Sequence, residues 1–215
     1  MVVDTINHKN FKIDIVIDDS PESPREWENI GKIATFRKDY GFSDTYGEDV
    51  LEELLSDVGV NLDTDYFERL DEDDAKNFIE KKIEENYIIL DLYKYEHGCF
   101  LLNTDGFSCR WDSCQIGYVY VSKEEAKEKF LWKKISKKRV SQIEEHLKSE
   151  VSVLSNYVNG EVYGYSVAQD DEIIASCFGF YGSDHEESGL LENAKDEIDF
   201  YIAEKKKKRK KEPLS

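Results

Sequence analysis

Phe11, Ile13, Ile15 and Ile17 alternate with Lys12, Asp14, Val16 and Asp18. That period of two predicts a half-buried strand. Residues 18–24, with Pro21 and Pro24 three apart, break it. Trp27 follows, and residues 30–36 fit either a second strand or a short helix. Val50, Leu51, Leu54, Leu55 and Val58 then form one apolar stripe, and Phe78, Ile79 and Ile83 a second. These stripes predict two helices within residues 44–85. Residues 87–93 read as a strand buried on both faces, and 99–102 as its return after a turn at His97-Gly98. Residues 115–121 make a third strand, and Ser122-x-x-Glu125 is a capping box that starts a short helix over 123–131.

The clearest helix covers about 137–158, where Val140, Ile143, Leu147, Val151, Leu154 and Val158 recur at helical spacing. Asn159-Gly160 closes it, with Gly suited to the left-handed position after a helix. A hairpin follows, its arms at 162–168 and 173–181. A last helix begins near Ser188 and buries Leu190, Leu191, Ala194, Ile198, Tyr201 and Ile202. This order predicts an α+β fold, a mainly antiparallel sheet with several amphipathic helices. No linker rich in Pro, Gly or Ser interrupts it, so residues 1–204 read as one domain.

Charge changes the picture most. The chain holds 47 acids and 29 bases, a net charge of −18. Seven of the bases fall in the run 205–211, so residues 1–204 carry 46 acids and 22 bases, a net −24. Such a body repels nucleic acid and anionic membrane and attracts basic surfaces. Residues 44–85 concentrate it, with 16 acids against 4 bases. Asp71, Glu72, Asp73 and Asp74 sit where a helix should begin, and negative charge there meets the positive end of the macrodipole. The sharper reading makes them, with Glu52 and Glu53, a contact surface for a basic partner. Residues 123–139 reverse the sign, with eight bases against three acids; they could bind phosphate or an acidic surface, but such a stretch is more often a solvated helix face. Residues 205–215 read as a basic, disordered tail in which Lys205 to Lys211 make weak nucleic-acid contact. No apolar run approaches the ~18 residues of a membrane span. No apolar signal core follows Met1, so the four cysteines are expected reduced in a cytoplasmic protein.

Candidate chemistry is sparse. No Walker A sequence, dinucleotide fingerprint, His-Glu-x-x-His or EF-hand loop occurs. Cys109 and Cys114, with Cys99 and His97, offer soft ligands at spacings that match zinc sites poorly. Asp71 to Asp74 and Asp170-Asp171 offer oxygen ligands, but fit a helix start and a hairpin turn equally well. Cys109, His97 and Asp112 supply the types for nucleophile, base and orienter. No metal, cofactor or catalytic residue is assigned on these grounds. The loop 107–113 reads as a keystone that pins a turn into an aromatic core, because buried Cys and Trp usually pack. Its alternative role is the rim of a ligand site, with Arg25 and Trp27 approaching Cys109, Trp111 and Asp112.

Several segments resemble a family of accessory proteins encoded by tailed phages and prophages. They are Ser20-Pro21-Glu22-Ser23-Pro24-Arg25-Glu26-Trp27 through Gly31, the loop 107–113, residues 115–124, Glu161-Val162-Tyr163-Gly164-Tyr165, and Ser176-Cys177-Phe178-Gly179-Phe180-Tyr181-Gly182. Cys114 departs from the pattern, standing where the family has Gly. The resemblance implies a counter-defence protein of the anti-CRISPR kind, acting in the cytoplasm of an infected bacterium. Its expected role is to inhibit a defence effector such as a CRISPR nuclease, binding a basic surface through the acidic patch as a nucleic-acid mimic. The alternative is a protein that binds or hydrolyses a nucleotide or signalling molecule at Arg25, Trp27, Cys109, Trp111 and Asp112.

Overall fold

The computed structural model describes residues 1–109, 111–170 and 172–211. Its helices and two mostly antiparallel sheets make an α+β fold. Contacts divide the chain into two compact units. One is Met1–Ser23 with the chain from Asn156 onward; the other is Pro24–Ser155, inserted in sequence between them. The first boundary lies at Ser23-Pro24 and the second inside a helix, so neither carries a linker signature.

The first unit is a four-stranded antiparallel sheet. It contains β1 (Val2–His8) and β2 (Phe11–Ile17), with β8 (Val162–Gln169) and β9 (Glu172–Tyr181) in the order β1-β2-β8-β9. Phe11, Ile13 and Ile15 turn to one face with Tyr165 and Val167, as the alternation predicted. Helix α5 (Leu190–Lys211) covers that face with Leu190, Leu191, Ala194 and Ile198. The Tyr165 hydroxyl donates to Asn193 Oδ1 at 2.6 Å, and burial pushes its phenol up to about 12. Residues 205–211, expected to be disordered, continue α5 as helix. Residues 212–215 lie outside the described residues.

The inserted unit has β3 (Lys32–Thr35), β4 (Thr45–Tyr46), β5 (Tyr87–Glu96), β6 (Phe100–Asn103) and β7 (Ser113–Ser122) in the order β4-β3-β7-β5-β6. Among the described residues only the β3–β4 pair is parallel. Strand β7 is central, and Ile116, Val119, Tyr120 and Val121 bury side chains on both of its faces. Tyr118 and Tyr120 share one face with Ala34 and Ile89. Helices α1 (Val50–Asp57) and α2 (Glu72–Asn86) cover it with Val50, Leu54, Leu55 and Ile83. The Tyr87 hydroxyl donates to the Leu54 carbonyl at 3.0 Å and ties α1 to the sheet. Val119 and Ile33 occupy the opposite face, on the side of Leu147 in α4 (Lys137–Val158).

Two devices order the surrounding loops. Ser122 and Glu125 form the predicted capping box at the start of α3 (Lys123–Lys129). Burial opposes the Glu125 charge, but hydrogen bonds from Lys32 and Ser122 win and lower its pKa below 4.5. Glu150, only 11% exposed, accepts from the backbone amides of Ile30 and Gly31, each at 2.8 Å. That carboxylate fastens the segment at Ile30 and Gly31, the end of the proline loop that starts at Pro24, to α4.

Replacing Glu150 by Ala leaves two part-buried amides without their acceptor. A cost of about 2–4 kcal/mol is expected in urea unfolding, with Glu150→Gln losing less; a change under about 0.5 kcal/mol contradicts the role. The lowered Glu125 pKa means its stabilisation is complete above 4.5 and fades as pH falls through the folded value. Glu125→Gln should therefore flatten the acid limb of a Tm-versus-pH curve; an unchanged limb contradicts the linkage.

Candidate functional site

Helices α1 and α2 bracket a groove of about 650 Å³. Its floor is apolar, built from Phe36, Val50, Leu51, Ile79 and Tyr118. Phe36 meets the Tyr118 ring edge-on at 5.6 Å, which fixes both rings. Burial, then the charge of Asp91, raises the Tyr118 pKa, so this phenol stays neutral and adds no charge to the floor. The rim carries Glu48, Asp49, Glu52, Glu72 and Glu80 against one cation, Lys76. Five acids and one base make it a net −4. Lys76 stands 3.8 Å from Glu80.

The six acids proposed from sequence divide. Glu52 and Glu72 stand on the groove rim. Asp71 is the cap of α2, its carboxylate accepting the Asp74 amide at 2.8 Å. Asp73 and Asp74 occupy the exposed first turn, where they complement the helix dipole. Glu53 turns towards Gly47, where an added methyl carbon would lie 2.9 Å from its Oε1. Glu48, Asp49 and Glu80, also on the rim, belong to the acidic block 44–85 but are not singled out by the sequence. The spacing of Glu72, Lys76, Ile79 and Glu80 places them on one helical face, a signal present in the sequence. Which face α1 would meet was not.

The loop 107–113 is organised differently from the expected keystone. Trp111 is 96% exposed and packs into no core. Phe107 is the aromatic anchor, 5.6 Å from the Tyr95 ring. Asn103 holds the turn by exchanging hydrogen bonds with the backbone of Gly106 at 2.8 and 2.9 Å. The Cys109 thiol donates to Asp112 Oδ2 at 3.2 Å, and the Ser113 hydroxyl donates to the Cys109 carbonyl. His97 Nδ1 lies 3.6 Å from the other Asp112 oxygen. The three types converge, but in the wrong order for a cysteine hydrolase: a carboxylate, not the imidazole, faces the sulfur. Arg110 lies outside the described residues.

Arg25 donates to the Gly31 carbonyl at 3.3 Å and to Asp44 at 2.5 Å, and Asp44 in turn accepts from the Ile33 amide. It is an organiser of the loop that Glu150 fastens. Trp27 is 39% exposed on the same loop. Cys114 is exposed on β7, paired in register with Lys94. Among the described residues no group of three or more His, Cys, Asp or Glu is placed to hold a metal. Asp171 of the Asp170-Asp171 pair is outside the described residues. Among the described residues no helix is long and apolar enough to cross a membrane. In α5, Lys205 lies 4.4 Å over the Tyr201 ring and Lys207 pairs with Glu204, so part of the basic run is engaged locally.

No family model, no curated protein and no solved structure matches the chain. The groove therefore has to be read from its own chemistry. An apolar floor anchors a side chain, and an acidic rim selects cations around it.

Trp111→Ala should leave unfolding stability within about ±0.5 kcal/mol, because the ring buries almost nothing. A loss above about 2 kcal/mol would restore the packing role.

Proposed function

We propose that the chain is a non-enzymatic binding protein whose groove takes a basic protein segment carrying one apolar anchor. The observation that carries this is the coincidence of an apolar floor with a net −4 rim in one groove. Electrostatic attraction speeds encounter and rejects acidic partners, while the buried anchor supplies affinity. The apolar floor favours side-chain docking, the mode of a peptide in a groove, over imitation of a smooth phosphate array. The resemblance to phage accessory proteins supports a bacterial defence protein as the owner of that segment, and inhibition of a nuclease such as a CRISPR effector as the outcome. Such effectors carry basic channels for their guide and target. The order of Cys109, Asp112 and His97 makes the hydrolase reading the weaker one.

A lysine-rich peptide with a single leucine is expected to bind, and its glutamate-for-lysine counterpart is not. Glu52→Lys with Glu80→Lys should weaken binding at least ~10-fold in calorimetry. Expressed in a CRISPR-immune host, the wild-type chain should restore plaque formation by a targeted phage, and the double variant should not. Equal peptide affinity in both proteins would overturn the groove; equal plaque restoration would overturn its part in counter-defence.

A further inference from the structure

The inserted unit also carries a surface of the opposite kind. Helix α3 ends in two backbone bonds, Leu131 N–H to Glu128 O at 3.2 Å and Trp132 N–H to Lys127 O at 2.8 Å. This is the Schellman pattern, in which the residue at Leu131 is usually Gly because φ is positive. Here φ is +54 at a leucine, and its side chain is 90% exposed. Leucine in that conformation is strained relative to the right-handed region, because its Cβ crowds the following carbonyl. Burying it in a partner offsets that cost; leaving it in water does not.

The leucine stands on a rigid mount. Trp132 stacks on Phe130 at 4.7 Å, and the Arg139 guanidinium lies 4.5 Å over the indole. Phe130 meets His146 edge-on at 6.2 Å, and His146 Nε2 is 3.3 Å from Glu150. The projection is therefore braced against α4 through the same carboxylate that fastens the proline loop. After it in the chain Lys133, Lys134, Lys137 and Lys138 are exposed, and among the described residues they have no ion-pair partner. Lys127 and Lys129 are already paired, with Glu124 and Glu28.

An exposed leucine followed closely in the chain by four lysines with no ion-pair partner among the described residues is the complement of an apolar floor lined by five acids. We infer that the Leu131 projection of one copy docks in the α1–α2 groove of a second copy of this chain. The two patches differ, so the contact is heterologous and links copies head to tail unless a rotation closes the assembly. It occludes the groove, and a defence-protein segment would have to compete with it. The inference shares the groove with the proposed function but needs no host protein. Two chains of net −18 repel at long range while the patches attract at short range, so salt screens both effects and is a poor test. Complementation is a clean one.

Sedimentation velocity of the full chain should show concentration-dependent association. Leu131→Asp with Lys133→Glu and Lys134→Glu, the projection variant, should be monomeric, and so should Glu52→Lys with Glu80→Lys, the groove variant. Mixed one to one, they should form a heterodimer, since each retains one intact patch. A monomeric wild type overturns the inference, as does a projection variant that still associates or a mixture that stays monomeric. Circular dichroism melts of both variants check that they fold. Binding of the lysine-rich peptide to the projection variant keeps the two readings apart. Retained binding with no self-association would leave the groove standing and remove only its proposed occupant.

Discussion

The approach of β7 to β3 at Gly117 is the constraint on which the inserted unit depends. A methyl carbon at Gly117 would lie 2.0 Å from the Ala34 carbonyl oxygen, so no side chain is tolerated there. With the strands that close, Tyr118 and Tyr120 pass to one face and Val119 and Val121 to the other. The tyrosine face receives α1 and α2, and Tyr118 becomes part of the groove floor. The valine face lies towards α4, whose Glu150 then reaches the amides of Ile30 and Gly31. One backbone contact thus sets where the acidic helices lie and where the basic projection is braced.

Much of the fold was legible because periodicity reports burial directly. The strand at Phe11–Ile17 and the helix Lys137–Val158 match their expected bounds, and the capping box at Ser122 and Glu125 forms as its spacing implies. The ambiguous stretch 30–36 resolves as strand at Lys32–Thr35, because β7 supplies a partner that no local pattern reveals. Strand β1 was not foreseen. Its residues are largely exposed, so Val2–His8 shows no alternation, and only pairing with β2 makes it a strand. The lysine run was expected to be disordered from its charge, yet it propagates an already nucleated helix.

The candidate site was legible in charge and not in shape. The excess of acid over 44–85 falls on the segment that builds α1 and α2. It overweighted Asp71, Asp73 and Asp74, which serve the start of α2, and passed over Glu48, Asp49 and Glu80, which face the groove. Trp111 was misjudged for a related reason. Tryptophan is usually buried, but here Phe107 takes the packing position on Tyr95 and the indole is left outside. Leu131 is the reverse case, an aliphatic residue within a charged stretch, where the sequence favours a solvated helix face over a surface that binds phosphate or an acidic partner.

The acid-rimmed groove joins these observations, because it gives the acidic block a shape and the basic projection a complement. Hydrogen–deuterium exchange of the chain, alone and saturated with a lysine-rich, leucine-bearing peptide, tests it most directly. Slowed exchange confined to residues 48–52 and 72–80 is the predicted result. Protection centred instead on residues 107–113, or absent from α1 and α2 despite measurable binding, would contradict the account.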